Sequence, residues 1–303
     1  MKRIGAQRCG VRVSCVALAF VGATSVGICA DEAVSLQYKR EVGEVERHAI
    51  SVTGGGYAKD PLRTQETLFG AEIVVREEVV RKGPAGVATL QSNWESAKFR
   101  VDGQEARLEG SKRRIERRVN EWGEVLWVRE RGREPLSTRG AEIDPTQLSL
   151  VDWLTDLVLH LQLPGRPVAV GDEWKVVERA EYEFTTAEVT KTSRLESIGT
   201  GDEAGTCSIA TEITAPLELT FEQDGLRFTG EVGGSLRHRF DYRTGRLVSG
   251  HARVEIDLTG GPGEAPEAPA GETAFGTEFA VKMAFTIDVT SKRVREGKAR
   301  KRR

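Results

Sequence analysis

Four histidines are the side chains best suited to acid–base or metal chemistry, and their spacing supports neither. They are His48, His160, His238 and His251. None belongs to a His-Glu-x-x-His pair, and the cysteines lack zinc-ligand spacing. His238 shares a predicted strand face with Leu236 and Phe240, where a hydrogen-bonded histidine at the core edge is the ordinary role. We therefore predict no metal site and no catalytic histidine.

The patterns that would indicate a nucleophile or a nucleotide loop are incomplete. Ser235 is followed by Leu236-Arg237, where a nucleophile elbow needs a glycine after one residue. Gly199, Gly201 and Gly205 miss the dinucleotide spacing and lie between predicted strands, so we interpret them as a turn. Without a legible set of acid, base, nucleophile and metal ligand, the sequence predicts a non-enzymatic protein without a cofactor.

The formal net charge of -2 hides three zones of different charge. Residues 1–30 carry four basic and no acidic residues, and residues 292–303 carry eight basic and one acidic residue. The body between them keeps 32 basic and 45 acidic residues, a formal charge of about -13. Such a body lacks a basic footprint for phosphates, so we predict no nucleic-acid partner. The basic cluster at 112–118 is interspersed with glutamate and is interpreted as a solvated strand edge.

Residues 1–30 have the pattern of an export signal. Lys2 and Arg3 precede an apolar stretch at 13–28, and Cys29-Ala30 offers small residues for cleavage before Asp31. We predict cleavage near Ala30 and an extracytoplasmic location, in the periplasm or secreted. Lipid attachment at Cys29 is the alternative, disfavoured because Ile28 is bulky for the preceding position. After cleavage Cys207 is the one remaining cysteine, so no intramolecular disulfide is expected.

The basic C-terminal tail, residues 292–303, ends in Arg300, Lys301, Arg302 and Arg303. Its composition is typical of a disordered, solvated end. The functional alternative is attachment to an anionic envelope surface, such as lipid headgroups.

One stretch near the middle of the chain has helical periodicity. Asp144-Pro145-Thr146-Gln147 resembles an N-cap with a capping box, and Leu163-Pro164 provides a stop. The apolar residues at helical spacing are Leu150, Trp153, Leu154, Leu157, Val158 and Leu161. We predict a linking and covering helix at 148–165. Leu157 lies centrally on the apolar arc, so Leu157→Asp should be severely destabilising. Asp156 and His160 fall on the opposite arc, so Asp156→Ala should be nearly neutral.

Period-two patterns predict strands on both sides of this helix, in an N-terminal half at 31–147 and a C-terminal half at 166–291. The clearest alternation comprises Phe279, Val281, Met283, Phe285, Ile287 and Val289. Glycine-rich residues 54–70 and the Gly/Pro segment 260–272 are predicted as loops. Hairpins with a central glycine, Gly123 and Gly245, follow similar strand patterns in the two halves. This similarity indicates a duplication, or two alike meanders arising by chance.

The predicted fold is therefore mainly β. It has one or two large curved antiparallel sheets, built from two similar β-meander halves, with one central amphipathic helix packed on the sheet. Whether the halves form one sheet or two domains is open at this point.

Several turn and strand-start motifs carry a resemblance. They are Leu36-x-Tyr38 before Gly43-Glu44, Leu163-Pro164 with Val168-x-Val170-Gly171-Asp172-x-Trp174, and Phe240-Asp241 with Gly245-x-Leu247. With these motifs the chain resembles an uncharacterised family of exported bacterial β-rich proteins. It is more distantly similar to the lipoprotein-carrier half-barrels, and that resemblance implies a curved sheet covered by helices that holds acyl chains. This chain differs from the half-barrels in having one predicted helix.

Two functions follow as expectations. The first is an envelope protein that binds a lipid or other apolar ligand between its sheet and helix, with Leu157, Leu161, Met283 and Phe285 on the ligand face. The second is a structural or protein-interaction module of the envelope with no small-molecule site.

Overall fold

Thirteen strands form one antiparallel sheet with a single helix packed against it in the computed structural model. The structure describes residues 33–59, 62–109, 114–131, 138–140, 145–182, 185–221, 226–262 and 279–293. The strands are β1 Val45–Lys59, β2 Thr64–Lys82, β3 Ala88–Val101, β4 Gln104–Glu109, β5 Arg114–Val119, β6 Val125–Arg131, β7 Thr138–Gly140, β8 Glu173–Tyr182, β9 Thr185–Ile198, β10 Thr206–Phe221, β11 Leu226–Asp241, β12 Arg246–Pro262 and β13 Phe279–Arg293. The helix, α1, is Pro145–Leu159. The prediction of a mainly β protein with a large antiparallel sheet and one packed helix is confirmed.

The two halves meet in the middle of this sheet. The strand order is β6-β5-β3-β2-β1-β13-β12-β11-β10-β9-β8, with β4 paired to β3 and β7 paired to β4. The first and last strands pair from Glu46↔Arg293 to Lys59↔Ala280. Both meanders advance across the sheet in the same direction, the arrangement that a tandem duplication would produce. The halves therefore form one sheet, whose outer strands β6 and β8 do not pair with each other in the described part of the chain.

The prediction of a loop at residues 54–70 is wrong over most of its length. Residues 54–56 lie inside β1, where they pair with β13 on one side and β2 on the other. Only residues 60–63 lie between β1 and β2. A backbone paired on both sides satisfies its donors and acceptors, and this compensates for the poor strand propensity of glycine.

The predicted hairpin turns are present. Gly123 (φ 85°) lies between β5 and β6, and Gly245 (φ 67°) lies between β11 and β12. Positive φ angles of this kind favour glycine, because it has no Cβ to clash with the backbone. In the predicted loop at 260–272, residues 260–262 belong to β12, and residues 263–278 lie outside the described part of the chain.

The helix begins and ends earlier than the predicted range of 148–165. Its last backbone bond runs from the His160 N–H to the Asp156 carbonyl oxygen (3.0 Å). The Leu163 N–H instead donates to the carbonyl oxygen of Trp122 (2.8 Å). Apolar spacing continued through Leu161 because that side chain is also buried, but it packs in a separate cluster.

The sheet curves around the helix. Asp156 contacts Arg117 on β5, and the carbonyl oxygen of Val158 contacts His238 on β11. Those strands are separated by six spacings in the sheet order, about 29 Å on a flat sheet at 4.8 Å each. A helix is only about 10–12 Å across, so two residues near one helix end can reach both strands only if the sheet is strongly curved.

Two apolar clusters hold this arrangement together. The main core joins the inner face of the sheet to the buried helix residues Val151, Leu154, Leu157 and Val158. The second cluster contains Leu161, Leu163 and Phe240, with Tyr38 and Trp174 packed against it. Its members include residues of the turn and strand-start motifs that carry the resemblance, and they surround the segment that follows the helix. These motifs therefore stabilise the fold.

Side-chain hydrogen bonds reinforce the second cluster. The Tyr38 hydroxyl donates to the carbonyl oxygen of Leu161 (2.9 Å), and the Trp174 indole N–H donates to that of Gln162 (3.0 Å). The Tyr38 ring also meets Phe240 edge-on, with 5.3 Å between centroids. These contacts fasten the chain where it leaves the helix.

Candidate functional site

The inner face of the sheet extends well beyond the helix. A helix of 15 residues is about 22 Å long, whereas β2, with 19 residues, is about 63 Å long. Val158 packs against Gly250 of β12, and Leu258 lies eight residues further along that strand, about 26 Å away. A large part of this face must therefore be covered by something other than the helix.

The part of the inner face farther from Gly250 is apolar, and it holds both buried side chains, such as Leu258, and partly buried ones. Phe69, Leu217, Phe228 and Val281 are partly buried side chains that pack against the main core. Leu217 and Val281 lie in one cross-strand row through Gly230 and Leu258. We name Phe69, Leu217, Phe228 and Val281 the apolar apron. It continues the core toward solvent as a partly exposed apolar surface.

The four predicted ligand-face residues are distributed over different parts of the fold. Leu157 is buried in the main core, whereas Leu161 is buried in the second cluster, so the structure does not bring these two together. Met283 and Phe285 are on β13, paired across from Ile256 and Val254 of β12, and their side chains lie outside the described part. Arg300, Lys301, Arg302 and Arg303 also lie outside the described residues.

A row of polar side chains crosses the inner face near the C-terminal end of the helix. Glu46 on β1 is directly opposite Glu77 on β2, and Glu77 is opposite Ser92 on β3. These residues occupy the same face as the core, since the pairing and the alternation along each strand place them there. We name Glu46, Glu77, Ser92, Arg117 and Asp156 the polar row.

Each carboxylate of the polar row has a partner. The Ser92 hydroxyl donates to Glu77 Oε1 (2.9 Å), and Arg117 donates to the Ser92 Oγ (3.3 Å). The same guanidinium donates to both carboxylate oxygens of Asp156 (2.7 Å each). Both bonds come from Nη2 and join β5 to the helix, and charge-assisted bonds are stronger than those between neutral groups.

Further ionic contacts extend the polar row toward β12. Arg246 bonds to Glu46 and Glu44, and burial by itself would lower its pKa, but these two carboxylates raise it. Arg40 lies over the Tyr38 ring, 4.1 Å from its centroid, and donates to the carbonyl oxygen of Asn120 (3.1 Å). Three arginines thus offset the carboxylates in this interior, as buried charges require.

Burial and neighbouring charges set the protonation states in this region. Burial, reinforced by Arg117 and only partly opposed by Asp156, lowers the pKa of His160 to about 4. Burial alone would raise the pKa of Glu77, but His160, His48, Arg40 and Arg117 lower it overall. At neutral pH the histidine is therefore uncharged and the carboxylate ionised.

His238 is buried in the core, as a hydrogen-bonded histidine. Its Nε2–H donates to the carbonyl oxygen of Val158 (3.1 Å), and burial lowers the pKa of the ring to about 4. The predicted structural role of His238 is therefore supported by its contact with the helix.

The polar row was missed by the sequence interpretation, and one part of that interpretation is wrong. Arg117 is a buried residue rather than a solvated one at a strand edge. Asp156, on the arc opposite the apolar one, keeps a side chain that is 38% exposed, and that side chain pairs with Arg117. The period-two pattern of β5 could have indicated that Arg117 is buried, because Arg117 shares a face of the strand with the apolar Val119.

The polar row is suited to anchoring rather than to chemistry on a substrate. The cavities beside Arg117–Asp156 and beside Glu46–Glu77 measure about 20 Å³ each, which is room for a water molecule. In the described part of the chain, no group of three His, Cys, Asp or Glu residues is placed to hold a metal ion. Among the same residues, no helix is long and apolar enough to cross a membrane.

Comparison with known proteins identifies no relative by sequence and only a weak structural similarity. No known family matches the sequence, and no curated protein does. Among solved structures, one similar chain is a domain assigned to an outer membrane lipoprotein-sorting protein from Vibrio parahaemolyticus. It is 6% identical, with 84% of this chain and 87% of that chain covered and a TM-score of 0.15. At that identity and TM-score the similarity supports no statement about function.

Proposed function

We propose that this protein is an exported, non-enzymatic envelope protein that holds an acyl chain against the apolar apron of its curved sheet. The observation that carries the proposal is the apolar apron itself, a set of partly buried apolar side chains that continue the core past the covering helix. A long, flexible hydrocarbon suits a shallow curved surface, because it can bury apolar area without needing fixed polar contacts. Each buried methylene contributes about 0.8 kcal/mol.

The direct test begins with the chain from Asp31 onward, purified without detergent. Organic extraction and mass spectrometry should detect co-purifying lipid. Delipidation should lower the melting temperature, and a fluorescent fatty acid should restore it, because a ligand that binds only the folded state stabilises that state.

Two neighbouring residues of β2 provide a matched pair of variants. Phe69 belongs to the apolar apron, and Leu68 is 71% exposed at the adjacent position, which points to the opposite face. Phe69→Asp should abolish fatty-acid uptake, whereas Leu68→Asp should leave it unchanged. The acyl-chain proposal is wrong if three results occur together. The extract contains no lipid, delipidation leaves the melting temperature unaltered, and the protein takes up no fluorescent fatty acid either before or after delipidation. The structural or interaction role would then be the better account.

Export is part of this proposal and has its own test. Lys2 and Arg3, the apolar stretch at 13–28 and Cys29-Ala30 support removal of the N-terminal segment. We expect mass analysis of native material to find a chain that begins near Asp31. An intact Met1 would contradict export by cleavage, and a diacylglyceryl mass on Cys29 would favour lipid anchoring instead.

A further inference from the structure

One outer edge of the sheet is unusually apolar. Strand β6 ends the strand order, and in the described part of the chain it pairs only with β5. Four consecutive residues are exposed there: Val125 (39%), Leu126 (50%), Trp127 (40%) and Val128 (53%). Monomeric proteins usually protect such edges with charge, proline or a covering element, because the free backbone groups are a template for another strand.

The apolar side chains of this edge face both sides of the sheet. Val128 is opposite Arg117, whose side chain lies on the inner face. Trp127 is opposite Arg118, so it lies on the outer face. A helix or a flat surface could cover one side only. A strand added along the edge would cover both sides and would also satisfy the unpaired backbone groups.

We propose that β6 is a self-association edge, where two copies of this chain pair antiparallel about a two-fold axis at Val128. Symmetric strands of this kind place Val128 opposite Val128 of the second copy. They also place Trp127 opposite Arg129 of the second copy, twice in the dimer. The result is one sheet continuous through both copies.

Charge and shape favour this register. Arg129 is opposite Glu116 of β5. On the outer face of the dimer, a line across the four strands would therefore pass from Glu116 to Arg129 in one copy, and then to Trp127 and Arg118 in the second copy. A guanidinium next to an indole face is a favourable cation–π contact, and the glutamate supports the same guanidinium from its other side. Centring the pair on Trp127 would instead set Val125 against Arg129 and lose both cation–π contacts.

A cysteine on the symmetry axis tests the register directly. Opposite residues in paired strands have Cα atoms about 4.5–5.5 Å apart, within reach of a disulfide. In the chain from Asp31 onward, which lacks Cys9, Cys15 and Cys29, Val128→Cys should therefore give a covalent dimer under mild oxidation. Burial, with a smaller effect from Asp241, raises the pKa of native Cys207 to about 12, so this buried thiol should not react.

The opposite edge of the sheet supplies the matched control. Val177 on the outer strand β8 is 52% exposed, close to the value for Val128. Val177→Cys should remain monomeric on a non-reducing gel. In sedimentation, Val177→Lys should dimerise like the wild type and Val128→Lys at least tenfold more weakly. The melting temperatures of all three should agree when they are measured at a dilution at which each is monomeric. A monomeric wild type at tens of micromolar, or equal cross-linking of both cysteine variants, would overturn the proposal.

Discussion

The helix comes close to the sheet at Gly250. A Cβ at this position would lie 2.7 Å from Val158 Cγ1 and 3.2 Å from His238 Cδ2. Gly250→Ala should therefore push the helix outward and cost about 1–3 kcal/mol, as overpacking of a core does. Chemical denaturation should show this as a lower midpoint with an unchanged slope.

Gly233, on the neighbouring strand β11, is the control for that substitution. Nothing lies within 4 Å of a Cβ added there, so Gly233→Ala should be neutral or stabilising by up to about 1 kcal/mol. If Gly250→Ala and Gly233→Ala lower the free energy of unfolding equally, contact with the helix is not the reason that position 250 requires glycine.

Acid should destabilise the fold through its buried histidines. Burial lowers the pKa of His160 from 6.5 to about 4, so the unfolded chain binds a proton over a pH range in which the folded chain does not. Stability should accordingly fall as the pH drops from 6.5 toward 4, by on the order of 3 kcal/mol for this one group. The lowered pKa of Glu77 acts in the same direction at still lower pH, because its ionised form stabilises the folded state.

Denaturation midpoints between pH 7 and pH 4.5 would measure this effect. His160→Gln should flatten the profile in part, because a group that cannot titrate contributes no slope, whereas the lowered pKa of His238 still contributes. An unchanged profile for His160→Gln would rule out His160 as a source of the acid sensitivity.

At the scale of elements, the contact between β5 and the helix rests on the Arg117–Asp156 pair. Removing one partner of a buried pair typically costs 3–5 kcal/mol, and about 1–3 kcal/mol is expected here because the Asp156 side chain is 38% exposed. Asp156→Asn and Arg117→Met should each destabilise, and the double variant should cost less than the sum of the two. The expectation that Asp156→Ala is nearly neutral is thereby withdrawn, whereas Leu157→Asp should still be severe because Leu157 is buried.

The exposed Lys282–Asp257 pair is the control for the double-mutant cycle at Arg117 and Asp156. It joins two neighbouring strands at 3.0 Å, but both side chains are more than half exposed. Asp257→Asn should leave the denaturation midpoint nearly unchanged, because exposed ion pairs contribute little to stability. Additive effects in the Arg117–Asp156 cycle would mean that the two side chains are not energetically coupled.

At the scale of the whole molecule, charge is separated between an acidic body and the basic end at residues 292–303. If the tail binds an anionic surface, each basic residue near a charged membrane contributes about 1 kcal/mol. Removing residues 294–303 should then abolish salt-sensitive binding to phosphatidylserine vesicles. The melting temperature should stay the same, because the described strands end at Arg293. Identical vesicle binding by the shortened chain would reject this attachment.

Local sequence patterns were enough to predict the class of fold. Period-two alternation indicated strands on both sides of the helix, Gly123 and Gly245 marked hairpin turns, and the leucine spacing indicated α1. Such patterns work because side-chain direction and turn geometry depend on residues only a few positions apart. They were unreliable at residues 54–56, where pairing on both sides of β1 outweighed the weak strand propensity of glycine.

The single sheet, its curvature and the polar row depended on residues far apart in the chain. The first and last strands pair from Glu46↔Arg293 onward, and the Arg117–Asp156 bond spans 39 positions. No local pattern encodes which carboxylate meets which guanidinium, because that depends on strand register and on where the helix crosses the sheet. Arg117 could be interpreted as a surface residue from its charge, but in the folded protein the helix supplies Asp156 and β3 supplies Ser92 as its partners, and these contacts keep it buried.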